Sequence, residues 1–323
     1  MKHQFRVVLP LLAGLSAIAS AQSPQQKSEA IRLPLPARAT SVALAAGASR
    51  AAVVCRDAKL RVWDLAETHL LRVIALDSAN IDYTAISPEG RWIFTGDHSG
   101  NAVVWESDTG QAQLQLRLPH YPSTAAFSRD GKFLAIAPMG DPVQVFDVQA
   151  GRKLYEANAI TGGTAAIAFS RDGSAIATAD ADTSVRVYDA HTGKLLAENR
   201  DFLLEPLAVD FSFDGKQVIA AGGDRILAFI DAASGKLVRR LPKTIEPAAY
   251  IEVSPDGAFV ATVFMKADNL VLPAPLVVWE VSSGQKKQEW LPTTLALAIG
   301  WTRDGHLISA NATPDSLQIW RIR

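Results

Sequence analysis

The chain has 323 residues, 48% of them hydrophobic, with 32 Lys and Arg against 33 Asp and Glu and a formal net charge of −1. That balance excludes the basic stripe of a nucleic-acid-binding domain, so no nucleic-acid partner is expected. The single cysteine, Cys55, excludes an intrachain disulfide, and its place in the apolar run Ala51 to Cys55 reads as a buried structural thiol.

In chain order, Lys2 and Arg6 precede an apolar stretch from Val7 to Ile18, and Ala19-Ser20-Ala21 supplies the small residues of a cleavage site. The pattern predicts a secretory signal peptide over residues 1–21, cleaved after Ala21, and an exported protein, periplasmic or secreted. The 12 residues of the apolar stretch fall short of the roughly 20 that span a bilayer, so no transmembrane segment is expected. Removing residues 1–21 takes Lys2 and Arg6 away and moves the formal charge from −1 to −3. Residues 22–30 read as a polar tether and residues 31–323 as one domain.

From there the sequence repeats. Residues 165 to 193, AAIAFSRDGSAIATADADTSVRVYDAHTG, show the unit: apolar runs that alternate as strands do, separated by turn signals. Ser170-Arg171-Asp172-Gly173 suits a hairpin turn, with Ser at its first position and Gly where φ must be positive. Adding Lys194 to Glu198 makes four antiparallel strands. The aromatic-acid pair Tyr188-Asp189 has counterparts at Trp63-Asp64, Trp105-Glu106, Phe146-Asp147, Ile230-Asp231, Trp279-Glu280 and Trp320-Arg321, spaced 42, 41, 42, 42, 49 and 41 residues apart. The turn recurs in step from Ser87, Ser128, Ser212, Ser254 and Thr302, each 18 residues before its aromatic position except in the sixth copy, where the interval is 25 and locates a seven-residue insertion. A second turn glycine at Gly110, Gly151, Gly193, Gly235 and Gly284 keeps the same period.

Seven four-stranded units of this period predict an all-β fold, a seven-bladed β-propeller of four-stranded antiparallel blades. The chain resembles the WD-repeat β-propeller family in RVWDL (61–65), VVWES (103–107), RVYDA (186–190) and VVWEV (277–281). It departs from that family at the His preceding the first strand of each blade, since only His120 falls in such a connection. The family's Asp is kept at Asp57, Asp182 and Asp224, with Asp141 and Asp315 one place late. Without the family's full buried polar network, stability is expected to rest on apolar packing between blades. Ile31-Arg32-Leu33-Pro34-Leu35-Pro36 looks like a fourth strand without a blade, and the seventh copy lacks one. Pairing of Ile31 to Leu35 with Gln318 to Arg323 is therefore expected to close the ring and cover exposed sheet edges.

The repeat explains most residues that resemble a chemical site. No Gly-rich phosphate loop, Gly-x-Ser-x-Gly elbow or His-Glu-x-x-His helix occurs. The expectation is a non-enzymatic, monomeric platform for protein partners in the cell envelope or outside the cell, with no cofactor. The alternative is a propeller enzyme, lactonase-like or dehydrogenase-like, with a metal or cofactor on the axis. Its candidate ligands are Asp210 and Glu252, which stand on adjacent innermost strands where the other copies carry Ala43, Ala85, Ala126, Ala168 and Gly300. Such a pair would bind a cation in the central channel or share a proton. The resemblance implies that partners dock on the face formed by the connections entering each blade and those between second and third strands. That face would display His98, His120, Tyr121, Asp141, Arg200, Asp201, Phe202 and Arg225. The sixth-blade insertion would add Lys266, Asp268 and Asn269 around an apolar tip of Leu270, Val271 and Leu272.

Overall fold

Turn chemistry sets the register of each repeat. In the fourth, the Gly173 amide donates to Ser170 O at 2.9 Å, while Ser170 Oγ accepts the Ala175 amide at 2.9 Å and donates to Asp172 Oδ1 at 2.7 Å. Gly173 sits at a φ of 74°, in a region where a Cβ is penalised. The turn delivers Phe169 opposite Ile176, and the hairpin zips from there. The computed structural model describes residues 30–157, 162–241, 246–264, 275–291 and 296–322. The expected signal peptide and residues 22–29 of the tether lie outside the described residues, as do Lys266, Asp268, Asn269, Leu270, Val271 and Leu272.

The 28 strands of the described residues form seven four-stranded antiparallel sheets, the blades of a propeller. The innermost strands, in blade order, are Ala39–Ala45, Ile81–Ile86, Pro122–Phe127, Thr164–Phe169, Pro206–Phe211, Ala248–Val253 and Ala296–Trp301. Each touches the innermost strands of the blades before and after it, so the seven surround a common axis. Burial falls outward from the second strand of a blade. Trp92–Asp97 is buried at every position, whereas the outer strand Arg152–Glu156 is mostly exposed. The core is accordingly a ring of seven apolar clusters, each shared by two neighbouring blades. Leu60, Ile93, Leu134 and Ile219 are fully buried there, each stabilising the fold by about 1.5–3 kcal/mol relative to exposure. Cys55 belongs to the same core, and burial pushes its thiol pKa up.

Closure follows the expected plan with a shifted register. Ala30–Pro34 is the fourth strand of blade seven, and it pairs with Ser316 to Trp320 rather than with Gln318 to Arg323. The Leu35 amide extends the ladder to Asp315 O at 2.9 Å. This register buries Leu33 and Leu35 against Val42, Val53 and Trp63 of blade one, and the strand starts at Ala30, inside the expected tether. Among the described residues no helix is long and apolar enough to cross a membrane.

Parts of the family's polar network survive in altered form. Trp105 Nε1 donates to Thr95 Oγ1 at 2.9 Å and Trp279 Nε1 to Thr262 Oγ1 at 3.0 Å. Blade one carries Val53 at that position, and among the described residues the buried Trp63 Nε1 has no hydrogen-bond partner. The turn aspartates Asp57 and Asp182 bind arginines four residues on, Arg61 and Arg186, on the third strands of their own blades. In blade four this grows into a buried cluster. Asp180, wholly buried, accepts from Thr164 Oγ1 and Thr178 Oγ1 at 2.8 Å and from Arg186 Nη1 at 2.9 Å.

Candidate functional site

Among the described residues, the connections entering the blades and those joining second to third strands emerge on one face of the ring. In blade two Asp97 shapes such a connection. Its Oδ1 accepts the amides of Ser99 and Asn101, both at 2.9 Å, and its Oδ2 accepts Asn101 Nδ2 at 2.8 Å. Gly100 follows at a φ of 84°, and a Cβ there would lie 2.6 Å from Leu118 O. Only glycine lets this turn rest against the connection that leads through His120 and Tyr121 into blade three.

That approach assembles a cluster. The rings of His98 and Tyr121 stack with centroids 4.8 Å apart and an interplanar angle of 13°. His98 Nδ1 lies 3.0 Å from Asp82 Oδ2, and His120 Nδ1 lies 2.6 Å from Asp141 Oδ2. The two imidazole side chains are 65% and 62% exposed. Each is thus held by one ring nitrogen while most of its side chain stays accessible. Burial raises the Asp82 carboxyl pKa, and the His98 contact opposes that rise. His98, His120, Tyr121 and Asp141 are therefore brought together, with Asp82 added. Sequence reading missed Asp82 because its partner His98 is 16 residues away and meets it only through the pairing of the first two strands of blade two.

The other expected residues are spread around the same face. Arg225 is exposed in the blade-five turn at a φ of 64°. Arg200 pairs with Glu198 at 2.9 Å and approaches Asp182 at 3.7 Å. The Asp201 carboxylate accepts Asn199 Nδ2 at 2.9 Å. Phe202 is a correction. Expected on the surface, it is only 5% exposed and packs in the core shared by blades four and five. Leu203 and Leu204, next in sequence, stand out instead at 79% and 55% exposure. A Phe-Leu-Leu run in a tight connection turns one side chain inward, and the largest ring gains most from burial.

The acid pair lies at the axis. Asp210 reaches from blade five to blade six: its Oδ1 accepts the Phe211 amide and its Oδ2 the Val253 amide, both at 2.8 Å. Burial raises the pKa of the Asp210 carboxyl, and these two amides oppose the rise. Glu252 is raised further, first by burial and then by the negative charge of Asp210. Both side chains are half-buried on innermost strands, so the surface left to them opens on the axis. Tyr250 behaves alike, 49% exposed and yet desolvated enough to raise its phenol pKa. Trp301 Nε1 of blade seven donates to Glu252 O at 3.1 Å. The pair is thus wired into three consecutive blades. Among the described residues no group of three or more His, Cys, Asp or Glu side chains is placed to hold a metal ion.

Comparison with known proteins adds two findings. The family described as the NWD2 C-terminal beta-propeller matches residues 37–243. Over 96 residues the chain is 27% identical to the WD repeat-containing protein SL1-17 of Schistosoma mansoni, an alignment covering 29% of this chain and 32% of that protein. The chain thus spans about a third of the length of this relative.

Proposed function

The chain belongs to the NWD2 C-terminal beta-propeller family, among the WD-repeat propellers, and from that membership we propose that it is a non-enzymatic platform whose partner docks on the face carrying His98, Tyr121 and His120. One observation carries the reading. Two exposed imidazoles are fixed by carboxylates beside a stacked tyrosine, on neighbouring connections of blades two and three. Ordering these side chains before binding removes part of the entropic cost of association, and aromatic groups with a polar edge are the side chains interfaces favour. The exposed Leu203 and Leu204 supply apolar area on the same face, and Arg225 supplies positive charge. The sixth-blade insertion, residues 266–272, belongs to this surface in the proposal. The composition of residues 2–21 supports export, with the mature protein starting at Gln22.

A photo-crosslinking amino acid at position 121 tests the docking face. It should trap one partner in stoichiometric yield in the native cell, whereas the same probe at position 234, on the opposite face, should trap none. Equal or absent trapping at both positions would reject the reading. Recovery of protein that still begins at Met1 would reject export.

A further inference from the structure

The innermost turns of blades two to seven share one feature that blade one lacks. In register, Gly47 occupies the place held by Glu89, Asp130, Asp172, Asp214, Asp256 and Asp304 in the other blades. Five of those acids accept a hydrogen bond from the Ser or Thr that opens their own turn. In blade one that opening position is Ala45 and the turn continues Ala46-Gly47-Ala48. Both the carboxylate and its side-chain volume are missing there.

A depression of about 480 Å³ occupies the vacated space, on the face opposite the proposed docking face. Three arginines line it. Arg50 is fixed by Ser107 Oγ at 2.6 Å, Gly90 O at 3.2 Å and Asp108 at 2.8 Å. Arg91 pairs with Glu106 at 3.1 Å and lies 4.5 Å over the Trp92 ring. Arg303 differs: a Cβ on Gly47 would stand 3.7 Å from its Cγ, and among the described residues it makes no ion pair. Its neighbour Asp304 is bound to Arg321 at 2.6 Å and His306 at 3.1 Å instead.

We infer that this depression binds a carboxylate-bearing peptide segment, with Arg303 taking the carboxylate that blade one does not provide. A guanidinium presents a planar fork that matches a carboxylate. Glu89 on the wall opposes a dianion such as phosphate more strongly than a single carboxylate, and both Glu89 and Asp108 offer acceptors to peptide N–H groups. The carboxylate can come from an acidic side chain or from the free C-terminus of a peptide.

The test is titration calorimetry of the full-length protein at low ionic strength with four probes: acetyl-Ala-Glu-Ala-amide, its Gln counterpart, acetyl-Ala-Ala-Ala with a free carboxyl, and inorganic phosphate. One or both carboxylate peptides should bind, and which of them binds identifies the source. The Gln peptide and phosphate should bind at least tenfold more weakly. Arg303→Gln should weaken carboxylate binding at least tenfold. Gly47→Asp should do the same with unchanged melting temperature, because it restores the internal acid at a position with ordinary contact distance and no positive φ. Absence of carboxylate binding would overturn the inference, as would phosphate binding equal to or tighter than the peptides, or retained affinity in either variant.

Discussion

Thr95 and Val53 hold equivalent positions beneath the tryptophans of blades two and one, and the difference between them is one hydroxyl. Thr95→Val should cost about 1–2 kcal/mol by leaving the Trp105 N–H without its acceptor. Val53→Thr should cost less than about 0.5 kcal/mol or stabilise, against the usual penalty for burying a hydroxyl, because the orphaned Trp63 Nε1 gains an acceptor. Denaturant melts of both variants check the pair, and a penalty for Val53→Thr as large as that for Thr95→Val would refute it. Glu252 makes a prediction of the opposite kind. Its pKa is raised in the fold above the unfolded value, so its burial costs nothing at acidic pH, where both states are protonated. The cost appears as pH climbs past the unfolded value and is complete above the folded one. Glu252→Gln should therefore match the parent near pH 4 and exceed its melting temperature by on the order of 2 °C or more at pH 9. Parallel pH–stability curves would show that no proton is held there. These two acids were legible in the sequence as outliers among small residues, but the engagement of Asp210 by Val253 was not, since it depends on how two blades abut.

At the scale of the element, blade four shows how a turn aspartate is held by an arginine of its own blade. Arg186 joins Asp180 at 2.9 Å, Asp182 at 2.5 Å and Glu198 at 2.7 Å, and its side chain is only 10% exposed. Arg186→Met keeps the stem but strands Asp180, which has no exposed surface, and the expected loss is about 3–5 kcal/mol. Asp180 already has a pKa raised by burial and opposed by Thr164, Thr178 and Arg186. Losing the arginine raises it further, so the deficit of the variant should shrink as pH falls and Asp180 takes up a proton. Adding Asp180→Asn should recover much of the loss at neutral pH, which a double-mutant cycle measures. A pH-independent deficit would mean that the arginine acts through packing alone. The strands themselves could be read from alternation and turn residues because those are local. The Arg–Asp pairs could not, because Asp57 and Arg61, or Asp182 and Arg186, meet only when the turn between second and third strands folds the backbone on itself. Phe202 failed for a related reason, since the direction of a side chain in a connection is set by the neighbouring blade.

The whole molecule is a ring in which each blade is half of two cores, and this makes its closure the most exposed point of the design. Ala30–Pro34 supplies the outer edge of blade seven, while Leu33 and Leu35 fill the core between blades seven and one. Deleting residues 30–36 removes two buried leucines, each stabilising by about 1.5–3 kcal/mol, and leaves the Ser316–Ile322 strand unpaired along one side. An open strand edge recruits other proteins. The shortened protein should therefore melt about 5 °C or more below the parent and elute as dimers or larger species, whereas deletion of residues 22–29 alone should change neither property. A synthetic peptide spanning residues 29–37 gives the decisive arm. If pairing with blade seven is what the segment contributes, the peptide should bind the shortened protein, restore the melting temperature in proportion to its concentration and return it to a monomer. A peptide with Leu33 and Leu35 changed to Ser should keep the backbone ladder but not the core, and should fail to rescue. Rescue by both peptides would place the stabilisation in the ladder alone, and a monomeric, fully stable deletion would show that the ring holds without its seventh outer strand.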